Sequence, residues 1–129
     1  MFATRRDKRQ WQWTMLLALP HWITGDDVRT ALDTVERAKG VDVAHIVGMR
    51  HLLEGRSVQT LHIGAYDDEG PTLARLHDEY LPQNGLTFNG DHHEIYLSDP
   101  RRTPPEKLKT VLRQPVRPVI DMGASPPDQ

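Results

Sequence analysis

Residues His92 to Pro100 read His-His-Glu-Ile-Tyr-Leu-Ser-Asp-Pro, and their alternation decides the fold class. His93, Ile95 and Leu97 fall on one face, while His92, Glu94, Tyr96 and Ser98 fall on the other. A period of two marks a strand with unlike faces. Asn89-Gly90 turns into it and Asp99-Pro100 closes it, since proline cannot extend a ladder. Upstream, Gly70-Pro71 opens a helix with Pro pre-set for its first turn. Leu73, Leu76, Tyr80 and Leu81 form its buried stripe, and Pro82 with Gly85 ends it. Before that helix, Ser57 to Tyr66 alternates again, with Leu61, Ile63 and Ala65 on one face and Val58, Thr60, His62, Gly64 and Tyr66 on the other. Glu54-Gly55 makes a tight turn back to Ala44–Leu53, so the two runs are expected as a β-hairpin.

Further out, Trp11 to Leu19 has strand alternation, with Trp11, Trp13, Met15 and Leu17 together, and Pro20 stops it. Thr24 is a good N-cap, with Asp26 and Asp27 near the positive end of the helix dipole. Val28, Ala31, Leu32 and Val35 then give an amphipathic helix that ends near Lys39-Gly40. Downstream, Pro105 to Arg113 is expected as a short helix through Leu108, Val111 and Leu112. The order β-α-β-β-α-β implies an α+β fold, with helices on one face of an antiparallel sheet and the other face uncovered. A sheet face holding acidic and aromatic side chains together is either solvated or the floor of a ligand site. Residues 1–10 are expected as a flexible N-terminal segment, 11–116 as the domain, and 117–129 as a C-terminal tail.

With 129 residues, the chain supports one domain. A net charge of −2 argues against nucleic acid as a partner, and no apolar run is long enough to cross a membrane. Arg5, Arg6, Lys8 and Arg9 are not followed by a signal-type apolar segment, so a cytoplasmic location is expected. No cysteine means no disulfide and no thiol nucleophile. Seven histidines raise the question of a metal, but none pairs at helical spacing, and no metal or other cofactor is expected. Gly-rich phosphate loops and a nucleophile elbow are absent. The face of His92, Glu94 and Tyr96 is the strongest candidate, with Glu94 set among the apolar Ile95 and Leu97, although alternation equally lets it face water. Trp11 and Trp13 with Met15 are either core or a flat wall suited to planar or cationic ligands, and Tyr66, Phe88 and Tyr96 would complete an aromatic cage.

The stretch His62-Ile63-Gly64-Ala65-Tyr66-Asp67, a helix, then His93 to Pro100 resembles the GyrI-like small-molecule-binding family. Pro105-Glu106-Lys107-Leu108-Lys109-Thr110 and Leu112-Arg113-Gln114-Pro115-Val116 are similar to one branch of it, as is Trp11-Gln12-Trp13-Thr14 with Pro20. The resemblance implies paired βαββ modules, the first truncated at its N-terminus, with a ligand cleft between them. It implies a small-molecule ligand, a planar or cationic xenobiotic, bound by Trp11, Trp13, Met15, His62, Tyr66, Phe88, Glu94 and Tyr96. The branch also includes hydrolases that open the cyclopropane of DNA-alkylating natural products, which implies Glu94 and Tyr66 as catalytic residues. In that scheme a Tyr66 or Tyr96 hydroxyl supports the ligand's carbonyl oxygen. Glu94 holds the attacking water, its pKa expected to rise in an apolar cage. The alternative is a non-catalytic drug-binding or effector-sensing module. A missing first strand would leave a sheet edge open to a second copy, a route to a homodimer.

Overall fold

A computed structural model of the chain describes residues 12–120. They divide into two compact units, one ending at Leu53 and one beginning at Glu54. Residues 1–10, Trp11 and the tail from 121 onward lie outside the described residues.

The first unit carries one helix, α1 (Gly25–Lys39), and the cap expected from the sequence makes it. The Asp27 N–H donates to the Thr24 hydroxyl at 3.2 Å, and the Thr24 N–H donates to the Asp27 carboxylate at 2.8 Å. Two of the orphan donors at the helix start are thereby satisfied reciprocally. Gly40, at φ 65°, ends the helix in the left-handed conformation. Neither expected strand of this unit forms among the described residues. The described part of Trp11–Leu19 has no ladder, and Ala44–Leu53 begins with a turn in which the Val47 N–H reaches the Val43 carbonyl at 3.0 Å. Alternation supplies a face, but a strand also needs a partner edge for its backbone groups.

In the second unit the chain makes β1 (Ser57–Ile63), a 3-10 turn at Tyr66–Asp68, and α2 (Gly70–Ala74). The helical path continues through a widened π segment, Arg75–Tyr80, into α3 (Leu81–Gln83). Pro82 removes one helical donor and crowds the carbonyl a turn earlier, and the widened segment just ahead absorbs that misfit. The helix runs one residue past Pro82 and stops before Gly85, the stretch where it was expected to end. After it come β2 (Leu86–Phe88), β3 (His93–Tyr96), a 3-10 turn at Pro105–Lys107 and β4 (Lys109–Pro118).

β4 corrects two expectations. The expected helix over Pro105–Arg113 is only one turn, and the longest strand of the sheet comes directly after it. Thr110, Leu112, Gln114 and Val116 are buried at every second position, the period of a strand, and Pro115 between the last two is buried as well. The expected hairpin is also absent, because β1 pairs with β4 instead, Thr60 opposite Leu112 and His62 opposite Thr110. On its other edge β4 pairs antiparallel with β3 and, further along, with β2. The unit is thus an α+β structure whose last strand is the middle of its sheet.

Directly opposed residues share a face. One face therefore gathers Val58, Thr60 and His62, then Thr110, Leu112, Gln114 and Val116, then Phe88, Glu94 and Tyr96. Leu73, Leu76 and Leu81 of the helix are buried, and Leu81 clusters with Leu86, Val116 and Val58 of this face. The acidic and aromatic face is therefore the helix-covered one, the reverse of the expectation. The other face carries Leu61, Ile63, Val111, Arg113, His93 and Ile95. There Glu54 ion-pairs with Arg113 at 2.8 Å and touches the His93 ring, and the Arg113 Nε–H donates to Gln59 at 2.9 Å.

Gly64, just past β1, sits at φ 143°, and its N–H donates to the Leu108 carbonyl at 2.9 Å. A Cβ there would stand 3.3 Å from Nε2 of His62. Gly64→Ala is expected to destabilise the unit by about 1–3 kcal/mol, the usual cost of forcing a side chain into such a conformation. Urea unfolding would show this as a lower midpoint, and an unchanged midpoint would contradict it.

Candidate functional site

Three strands place the candidate residues around β4. His62 and Tyr96 flank Thr110 from either side, and Glu94 flanks Leu112. With strands spaced about 4.8 Å apart, His62 and Tyr96 stand about 9–10 Å from one another across the sheet. His62 is buried and turns to its own loop, its Nε2 3.0 Å from the Ala65 carbonyl, where the Nε2–H tautomer donates. It shapes the turn that carries Tyr66.

Glu94 is the centre of the arrangement. Its side chain is 20% exposed, and its Oε2 accepts from the Tyr96 hydroxyl at 2.8 Å. Oε1 lies 3.6 Å from Nε2 of His92. The adjacent His92 ring is the largest influence and holds the carboxyl down at about 2, against burial, with help from Tyr96 and Glu69. At 3.6 Å the histidine is a long contact, so the phenol is the firmer anchor. This direction corrects the expected rise: neighbours that favour the charged form outweigh the desolvation that disfavours it. Burial first, then the Glu94 carboxylate, pushes the Tyr96 hydroxyl above the ordinary phenol range, so it remains a donor at neutral pH.

Rings extend from this acid in two directions. The Tyr66 and Tyr96 rings meet edge to face, their centroids 5.3 Å apart. On the other side Phe88 packs against His77 at 5.1 Å and His77 against His92 at 5.5 Å, so a file of rings leads to Glu94. Burial, and then the His92 ring, lowers the pKa of His77. A buried neutral imidazole binds a proton less readily than in the unfolded chain, so stability falls as pH drops through about 6.5.

The structure thus brings Tyr66, Phe88, Glu94 and Tyr96 into one linked group, with His62 behind the turn. Trp13 and Met15 belong to the first unit, where they are 70% and 81% exposed, and Trp11 lies outside the described residues. Sequence reasoning missed Glu69, fully buried and one of the groups that help hold the Glu94 carboxyl down. It sits in the run Asp67-Asp68-Glu69-Gly70-Pro71, which reads as a solvated turn, and no local signal marks it. His77 was missed because it lies between the apolar positions of its helix. Among the described residues no group of three or more His, Asp or Glu is placed to hold a metal, and no helix is long and apolar enough to cross a membrane.

The model of the GyrI-like small molecule binding domain matches residues 26–117, more than half of the 129. The chain belongs to the GyrI-like family. This GyrI-like chain is similar to the crystal structure of a hydrolase from Listeria innocua, with 32% identity and a TM-score of 0.66 over 77% of this chain and 52% of that one. It is similar also to an uncharacterized conserved protein from Listeria innocua, with 34% identity and a TM-score of 0.68 over 77% of this chain and 50% of that one. A further hydrolase structure from the same organism matches at 33% identity and a TM-score of 0.65, over 77% of this chain and 50% of that one. The GyrI-like chain therefore spans about half the length of these structures. Among curated proteins none matches it significantly.

Proposed function

We propose that the GyrI-like domain binds planar aromatic monocations against the Glu94 carboxylate, as a module that captures xenobiotics. One comparison within the molecule carries this reading. Glu54 and Glu94 have equally buried side chains, each 20% exposed. Glu54 is matched by Arg113, whereas among the described residues no Lys or Arg pairs with Glu94. A carboxylate held ionised at partial burial, with a phenol and an imidazole as its partners, attracts an incoming cation. The Tyr66 and Tyr96 rings give that cation a flat, polarisable surface. N-methylacridinium tests this against neutral acridine of nearly the same shape. Quenching of intrinsic fluorescence at pH 7.5 should report at least tenfold tighter binding of the cation, and equal affinities would end the reading.

The hydrolase relatives support a second reading, cyclopropane opening in a dienone-conjugated ligand. Water's oxygen would bond to the ring carbon, the strained carbon–carbon bond would break, its electron pair would move to the carbonyl oxygen, and that oxygen would take up the proton the water sheds. A tyrosine hydroxyl, from Tyr66 or Tyr96, would hydrogen-bond that oxygen. So acidic a Glu94 would orient the water rather than remove its proton before attack. A ring-opened product seen by mass spectrometry after incubation decides for the enzyme, and unchanged ligand decides for the module. A level cation affinity from pH 8 to pH 5 is expected in either case, since Glu94 stays ionised throughout that range. A fall in affinity between pH 7 and 5 would mean that the acid is not held as described.

A further inference from the structure

The edge that carries Glu94 is interrupted between β2 and β3. Phe88 faces Val116 and His93 faces Arg113, so Asn89, Gly90, Asp91 and His92 stand opposite only Gln114 and Pro115. The two extra residues make a bulge. Odd-numbered residues of β4 turn their backbone groups to this side, since the Leu97 N–H reaches the Lys109 carbonyl at 3.0 Å and the Asn89 N–H reaches the Pro115 carbonyl at 2.9 Å. Pro115 therefore lacks a donor on the side where the bulge lies. The side chain next to it supplies one: the Gln114 amide, on a residue 2% exposed, donates through Nε2 to the Gly90 carbonyl at 2.9 Å. Gly90 itself is at φ 126°, and a Cβ there would stand 3.7 Å from the Pro115 ring.

The bulge ends in His92. That ring is braced by His77, at 5.5 Å between centroids, and its Nε2 stands 3.6 Å from Oε1 of Glu94. A contact so long does not hold itself, so the backbone that carries the ring decides whether it exists. We propose that Gln114 is a positioning residue of the Glu94 site, whose amide pins the Asn89–His92 bulge and thereby keeps the His92 ring against the carboxylate. Gln114 meets no ligand in this scheme and acts through Gly90 and His92. With the imidazole beside Oε1 and the Tyr96 hydroxyl on Oε2, the carboxylate has a fixed neighbour at each oxygen. This rests on the reading of Glu94 as the ligand's counter-charge, and it deepens that reading by making the preference for cations depend on a residue of the central strand.

Gln114→Met keeps the length of the side chain and removes the donor. Ligand-free nitrogen-15 NMR of the whole chain, labelled in its histidine rings, reads His92 directly, with His92→Gln to assign its signals. In the unmodified chain His92 should show one fixed tautomer with its hydrogen on Nε2, the form that donates toward a carboxylate. In folded Gln114→Met it should show the averaged signals of a free imidazole, while His62, whose Nε2 lies 3.0 Å from the Ala65 carbonyl, keeps its own. An unchanged His92 signal overturns the proposal. Gly90→Ala is a second route to the same bulge, because it alters an exposed residue and alanine resists a φ of 126°. It should release His92 in the same way, and a fixed His92 in that variant would equally overturn the proposal. Fluorescence quenching then reads the site. Gln114→Met should bind N-methylacridinium about tenfold more weakly and neutral acridine about as well as the unmodified chain does. Equal loss for the two ligands would give Gln114 a merely structural role and overturn the positioning. If His92 is released as described but N-methylacridinium fails to bind the unmodified chain, the cation reading falls while the positioning of His92 stands.

Discussion

Exchanging Glu94 for Gln should weaken N-methylacridinium binding about tenfold to a hundredfold at pH 7, where each tenfold step corresponds to about 1.4 kcal/mol. The substitution is nearly isosteric, and the Gln carbonyl still accepts from the Tyr96 hydroxyl that now meets Oε2 at 2.8 Å. What disappears is the charge, so neutral acridine should bind the variant about as it binds the unmodified chain. Isothermal titration of both ligands against both proteins separates the two effects. Parallel loss for the neutral and the cationic ligand would mean that Glu94 shapes the site without attracting charge. Acid unfolding gives a companion check. Glu94 is more acidic in the folded state than its ordinary value of 4.5, so its contribution to stability is present above that value and disappears as pH falls toward about 2. The Gln variant should lack that part of the acid dependence.

The second large effect lies beneath the site. Leu112 is completely buried in the middle of the central strand, opposite Thr60 on one side and Glu94 on the other. Leu112→Ala is expected to cost about 2–5 kcal/mol, the lost transfer energy plus that of the hole left behind. Against a typical total of about 5–15 kcal/mol for a native domain, that is a substantial fraction. Urea denaturation should show the midpoint falling with the slope unchanged. A shift of less than about 1 kcal/mol would mean that the surrounding leucines close the gap, contrary to the close packing that full burial implies.

Much of this was legible in the residues. The phase of His92, Glu94 and Tyr96 follows from alternation alone, and so does the phase of Val58, Thr60 and His62. That the two sets share a face could not be read, because it depends on β4 lying between them. β4 itself was hidden by coincidence: Leu108, Val111 and Leu112 sit at helical spacing behind a proline, a pattern that suits one turn of helix as well as a strand. The acidity of Glu94 was misjudged for a related reason. Burial is suggested by neighbours in sequence, but His92, Tyr96 and Glu69 act on it through space, and their influence reverses the sign. Glu69 was illegible altogether, since nothing local separates a buried acid from the two aspartates beside it.

The position of β4 also orders events during synthesis. A ribosome delivers β1, the helix, β2 and β3 before the strand that all three must join. Until that strand emerges, their backbone edges have no counterpart, and the leucines meant for the interior stay in contact with water or with chaperones. Assembly of this unit is consequently a late, single event rather than a gradual one, and a nascent chain halted short of Lys109 should remain fully sensitive to protease.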